Sequence, residues 1–339
     1  MTTTTLSSTR LGFRGPQSVS AISLGAMGMS GMYGANDEAQ SIATIHAALD
    51  AGVNLIDTGD FYGMGHNEML IGRALKDRRD QALISVKFGA LRDPAAGWIG
   101  MDGRPAAVKN FLAYTLQRLG TGHIDIYRIA RLDPNVPIED TIGAMADMVK
   151  AGFVRHIGLS EVGVDTIRKA HAVHPICDLQ IEYSLISRGP EAEIFPVLKQ
   201  LGIGVTAYGV LSRGLLSGSK PTGPGDFRAH LPRFTGDNAL KNQQLVDVLH
   251  QLAGGLGATA SQVAIAWVLA RGKALGVDMV ALVGSRTLKQ LDESLGALKL
   301  QLGSDDLQRI EAALPADAVA GTRYAAAQMD HLDSEKRAA

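Results

Sequence analysis

The chain has 339 residues, of which 46% are hydrophobic and 20% charged, and a formal net charge of −1; this supplies one sizeable core and excludes a disordered polyelectrolyte. Interspersed charges leave no basic stripe for nucleic acid and no polybasic segment for a membrane surface, so the expected partners are small molecules or proteins. The lone cysteine, Cys177, rules out an internal disulfide, and the N-terminal MTTTTLSSTR lacks the pattern of an export signal, so the expected location is a reducing cytoplasm.

Eight short runs rich in Val, Ile and Leu read as strands, in order VSAISLG (19–25), VNLIDTG (53–59), LISVKFG (83–89), IDIYRIA (124–130), VRHIGLS (154–160), DLQIEYS (178–184), IGVTAYG (203–209) and MVALVGS (279–285). Between them, stretches such as DEAQSIATIHAALDAG and EDTIGAMADMVKAG place apolar residues at helical spacing and close on Gly where a C-cap belongs. Strand alternating with helix predicts parallel βαβ units, and eight of them without a linker predict a single closed (β/α)8 TIM barrel over residues 1–339. The first strand runs into SLGAMGMSGMYG, whose glycines at 25, 28 and 31 do not have the GxGxxG spacing of a Rossmann turn. No Walker, HExxH or GxSxG motif stands in its expected context, and no metal-ligand spacing is present.

In such a barrel the chemistry belongs at the C-terminal ends of the strands. There the sequence carries Asp57 and Tyr62, Lys87, Arg128 and Arg131, Ser160 and Glu161, Gln180 and Tyr183, Tyr208, then Ser285 and Arg286. A phenol has a reference pKa near ~10 and becomes a useful acid when a cation stabilises the phenolate. Lys87 ends the strand after the one that delivers Asp57 and Tyr62, so the three form a candidate proton relay with the phenol as general acid. With no nucleophile paired to a base, proton donation calls for an external partner such as a hydride donor.

Seven segments in order, IDTGDFYGMGHNE, SVKFG, LDPNVPIEDT, KAGFVRHIGLSE, LQIEYSLISR, VTAYGVLSRGLLSG and VGSRTLKQLDESLGAL, resemble the aldo-keto reductase superfamily from residue 10 to about 300. The resemblance implies carbonyl reduction, or its reverse, with NADPH as cofactor. It implies that Asp57, Tyr62 and Lys87 are three members of a catalytic tetrad, with Lys87 lowering the Tyr62 pKa and Asp57 orienting Lys87. It further implies cofactor contacts from Gly25, Met27, Asp57, Ser160, Gln180, Tyr208, Leu211, Arg213 and Gly214, with Ser160 and Gln180 at the carboxamide and Tyr208 stacked on the nicotinamide. Gly284, Ser285, Arg286, Gln290 and Ser294 match the segment gripping the adenosine end, and Arg286 is the candidate for the 2′-phosphate because a guanidinium pairs bidentately with phosphate oxygens.

Two departures from the family pattern stand out. Glu161 occupies a position where many members carry Asn, and DIYRIARLDP places Ala130 where the fourth tetrad member is a histidine. A methyl group there opens room beside Tyr62 for a bulky ring ketone of steroid-like or fungal-toxin type. Arg128 has two open readings: turned inward to assist Tyr62 in the substrate pocket, or paired with a carboxylate behind the barrel, because strand parity depends on the register. His66 reads as a helix-capping residue and Asp60 as a loop carboxylate. Trp98 and Arg92, in the long loop after Lys87, are candidates for the substrate pocket. Residues 217–236 read as a cofactor-covering loop, and residues 315–339 as a tail reaching the mouth, with Tyr324 and Met329 as candidate substrate contacts. A second class of function also fits the departures: a nicotinamide-binding regulatory subunit with little turnover.

Overall fold

The Val, Ile and Leu runs become strands because β-branched side chains suit a pleated sheet covered on both faces. In a computed structural model, which describes residues 6–34, 37–223 and 225–336, eight parallel strands close into one barrel. We number them β1 (Ile22–Gly25), β2 (Leu55–Gly59), β3 (Leu83–Phe88), β4 (Ile124–Ile129), β5 (Val154–Ser160), β6 (Ile176–Glu182), β7 (Gly204–Tyr208) and β8 (Met279–Gly284). Neighbours in the chain are neighbours in the barrel, and β8 pairs with β1 to close it. The expected architecture is the observed one. The first apolar run is divided, however: Val19–Ser20 leaves the barrel to pair antiparallel with Ser8–Thr9.

Helices return the chain between strands, α1 (Glu38–Asp50), α2 (His66–Ala74), α3 (Pro105–Leu119), α4 (Ile138–Lys150), α5 (Val164–Val173), α6 (Ile194–Leu201), α7 (Gly236–Gly255) and α8 (Ala260–Leu275), and α9 (Leu288–Gly296) and α10 (Ser304–Ala313) follow the last strand. α3, α6 and α8 stop at Gly120, Gly202 and Gly276, whose φ of 63°, 67° and 70° satisfies the last carbonyls without a Cβ penalty. Among the described residues no single helix is long and apolar enough to cross a membrane.

Two apolar clusters divide the work. The larger lies between strands and helices, and the smaller joins Leu11, Val19, Leu55, Ile126, Cys177 and Val280. Leu55 and Ile126 stand two residues before Asp57 and Arg128, and in a strand such pairs share one face. The barrel interior is therefore apolar at its floor and polar above it. Cys177 is 1% exposed, and burial pushes its thiol pKa up, which makes it an inert core residue.

Candidate active site

Register brings the polar layer together. Asp57 pairs with Ser85, Lys87 with Arg128, Arg128 with Gly158, and Gln180 with both Ser160 and Thr206. Asp57 is the hub. Its Oδ1 accepts from Lys87 Nζ, and its Oδ2 accepts from Ser85 Oγ at 2.7 Å, Gln180 Nε2 at 2.8 Å and Arg128 Nη1 at 3.3 Å. Lys87 Nζ also donates to the Thr58 carbonyl at 2.9 Å, so the ammonium is fixed from two sides.

Arg128 settles its open reading. Its guanidinium is wholly buried, and Nη2 donates to both oxygens of Asp178 at 2.8 Å. Thr206 Oγ1 supports the same carboxylate at 2.5 Å. The pair lies inside the barrel rather than behind it, and it takes Arg128 out of the substrate pocket. Gly158 is obligatory here: a Cβ would lie 2.4 Å from Asp178 Oδ1 and 2.8 Å from Arg128 Nε.

Tyr62 opens a 3-10 turn after β2, made possible by Gly63 and Met64 at φ 55° and 54°. Its ring is edge-on to Phe61 at 4.9 Å between centroids, and Lys87 Nζ is 5.0 Å from the ring centre. The expected lowering of the phenol pKa does not appear. Burial, and next the Asp57 carboxylate, push it well above the usual value, with Arg131 working against them. The physical reason is that Asp57 neutralises the ammonium, while burial lowers the Lys87 pKa. Tyr62 thus holds its proton firmly at neutral pH, as a donor must before reaction.

His66 is occupied elsewhere: Nδ1 meets Ser30 Oγ at 2.9 Å and Nε2 meets Glu38 Oε1 at 2.6 Å. Asn67, which the sequence reading overlooked, accepts from Thr58 Oγ1 at 2.6 Å and donates to Ala26 O at 2.9 Å, tying the β1 and β2 loops together. Arg92 lies over Trp98 at 5.5 Å and Phe61 at 5.9 Å. Arg92 and Trp98 belong to a hairpin, Ala90–Arg92 with Trp98–Met101, whose Trp98 is 43% exposed.

A second buried cluster organises the mouth. Glu161, at φ 52° and fully buried, accepts from Arg323 Nη1 and Nη2 at 2.9 and 2.8 Å, Ser334 Oγ at 2.5 Å, Tyr208 Oη at 2.7 Å and the Glu182 amide at 2.9 Å. Burial pushes its pKa up, but Arg323, Arg131 and Ser334 together outweigh burial and lower it. Glu182 in turn pairs with Arg213 at 3.0 Å and Arg233 at 3.4 Å. The C-terminal segment is thereby fastened across the ends of β5, β6 and β7. Tyr324 lies under Arg213, 4.4 Å from its Cζ, with its hydroxyl 3.1 Å from that of Tyr208. Arg337–Ala339 lie outside the described residues.

The remaining expected cofactor residues lie at the C-terminal ends of β1 and β8 and in the segments that follow β1, β7 and β8. Gly25 pairs with Gly284 across β1 and β8, Met27 is half-buried in the turn that follows, and Ser285 is buried. Arg286 N donates to Gln290 Oε1 at 2.8 Å, Arg286 Nη1 donates to Tyr33 O at 3.1 Å, and Ser294 Oγ donates to Gln290 O at 2.8 Å. Among the described residues no carboxylate pairs with Arg286, which leaves donors for a phosphate. Leu211, Arg213 and Gly214 form the turn after β7, and Arg228, bonded to Asp226, donates to Arg213 O at 3.2 Å. The segment 217–236 holds short 3-10 turns at Phe227–His230 and Pro232–Phe234; Pro224 lies outside the described residues.

Comparison with known proteins agrees with this geometry. The model of the Aldo/keto reductase family matches residues 21–315. "Probable aldo-keto reductase 1" of Glycine max is 40% identical over 335 residues, covering 96% of this chain and 93% of that one. Among solved structures, glycerol dehydrogenase AKR11B4 of Gluconobacter oxydans superposes with a TM-score of 0.81 at 25% identity, over 100% of this chain and 99% of that one. An aldo/keto reductase of Klebsiella pneumoniae in complex with NADP and acetate has a TM-score of 0.72 at 23% identity, over 94% and 99%. With a hydrogen-bonded Asp57–Lys87 pair beneath Tyr62 at the mouth of a closed barrel, the chain belongs to the aldo/keto reductase family.

Proposed function

We propose that this chain is an NADPH-dependent carbonyl reductase acting on ketones and aldehydes, with Tyr62 as the general acid. The observation that carries the proposal is the buried Asp57–Lys87 pair set 5.0 Å beneath a protonated phenol. NADPH, when bound, supplies hydride to the carbonyl carbon and leaves as NADP+. Arg286, with no carboxylate partner among the described residues, fits the 2′-phosphate; Ser160, Tyr208, Arg213 and Gly214, at or just after the ends of β5 and β7, are the residues we assign to the nicotinamide end.

Tyr62 Oη donates its proton to the carbonyl oxygen, and Lys87 faces the phenolate that remains. Asp57 holds Lys87 in position and, through Gln180, ties β2 to β6 across the barrel. Ala130, 2% exposed at the end of β4, favours a ring ketone over a small aldehyde, since an imidazole in its place would crowd the mouth. The 217–236 loop, anchored through Arg228 to Arg213, is suited to cover bound cofactor.

The test is NADPH oxidation over a panel from small aldehydes to bulky ring ketones, with Tyr62→Phe as control. Turnover that vanishes in the variant while NADPH affinity persists supports the mechanism. Undiminished turnover in the variant refutes it, and tight NADPH binding by the unaltered protein without turnover on any substrate favours a nicotinamide-sensing role.

A further inference from the structure

The tetrad histidine position is filled by Ala130, and the obvious substitutes are engaged elsewhere. Arg128 is enclosed between Asp178 and Asp57, and His66 is held by Ser30 and Glu38. The next residue after Ala130 is different. Arg131 is half-buried at the mouth, and among the described residues no carboxylate stands within ion-pair distance of it. Arg213, Arg233 and Arg323, by contrast, all pair with Glu161 or Glu182. Arg131 Nη1 donates to the Ala130 carbonyl at 2.6 Å, and its other contacts are long and to neutral oxygens: Ser160 Oγ at 3.4 Å and Tyr324 Oη at 3.5 Å.

A guanidinium carries five N–H donors and a permanent charge. Withdrawing it from water without a carboxylate is costly, and such a group is a donor site for an oxygen that carries or develops negative charge. Its charge also offsets that of Asp57 at the Tyr62 phenol, which places its influence where the proton leaves. Ser160 and Tyr324 hold the planar fork at the mouth without neutralising it, and the Glu161 carboxylate, bonded to Arg323, acts on it only from beyond ion-pair contact.

We propose that Arg131 is a catalytic residue of this site: it donates an N–H to the substrate carbonyl oxygen and stabilises the charge that builds there, the task an imidazole at position 130 would share. As the carbonyl carbon accepts hydride, the C=O electron pair moves to oxygen, which takes the Tyr62 proton; Arg131 gives up none of its own. This inference rests on the carbonyl-reductase reading.

Arg131→Met is expected to lower kcat on neutral ketones by about 10²- to 10³-fold, the range for loss of one oxyanion donor, with NADPH affinity by fluorescence titration within a few-fold of the unaltered protein. Added guanidinium at sub-denaturing concentration restores part of the rate in Arg131→Met and not in Tyr62→Phe. Arg131→Lys, which keeps charge with a poorer fork, falls between and carries the test if the Met variant does not fold. An unchanged kcat overturns the inference. So does a loss confined to KM, which makes Arg131 a substrate anchor, or a matching loss of NADPH affinity, which makes it a cofactor ligand. If Tyr62→Phe also keeps full turnover, the reductase mechanism itself has failed; if only the Arg131 variants do, the arginine assignment alone has failed.

Discussion

Asp60 offers a quantitative check on the electrostatics beside Tyr62. It is 7% exposed, and among the described residues no side chain donates to either carboxylate oxygen; the backbone amides of Gly89 and Phe61 favour the carboxylate less than burial and Glu68 oppose it. Burial, reinforced by Glu68, raises its pKa from 3.8 to about 7; Arg118 opposes the rise but is itself bonded to Glu68. A carboxyl that binds its proton more tightly folded than unfolded makes stability fall as pH rises between the two pKa values, from about 4 to about 7, with no further change above. At 1.36 kcal/mol for each pH unit the full penalty is about 4 kcal/mol, of which about 3 kcal/mol falls between pH 5 and 8. Asp60→Asn removes the titration while keeping the shape. Urea unfolding of both proteins from pH 5 to 8 reads the difference, which isolates Asp60 from every other titrating group. The variant is expected to gain on the unaltered protein up to about pH 7 and to level off above it; parallel stability profiles would refute the reasoning.

Two further outcomes test the mouth. Arg323→Ala leaves Glu161 charged and buried without its bidentate partner, a change of the kind that costs about 3–5 kcal/mol; hydrogen exchange over residues 320–336 is expected to accelerate, and unchanged protection would show that Glu161 does not hold the tail. Arg286→Ala is expected to weaken NADPH binding at least about tenfold, the loss of one charge-assisted bidentate contact, while sparing NADH; equal losses for both would remove the 2′-phosphate role.

Fold class was legible from eight apolar runs alternating with helical ones, because burial on both faces of a parallel strand writes itself into local sequence. Asp57 and Lys87 were legible as a pair for the same reason: one ends β2, the other ends β3, and successive strands of such a barrel are neighbours. Tertiary structure decided what local pattern leaves open. Which way Arg128 faces depends on a register that shifts by single residues, and only the closed barrel sets Asp178 opposite it. The fall of the Tyr62 pKa expected from Lys87 was reversed because burial and Asp57 act through space, not through spacing. Glu161 stood out in sequence only as a departure from Asn, yet it anchors Arg323, 162 residues away. Arg131 differs from the other arginines of the mouth in having no carboxylate in ion-pair contact among the described residues, which becomes visible only once the rest of the chain is in place.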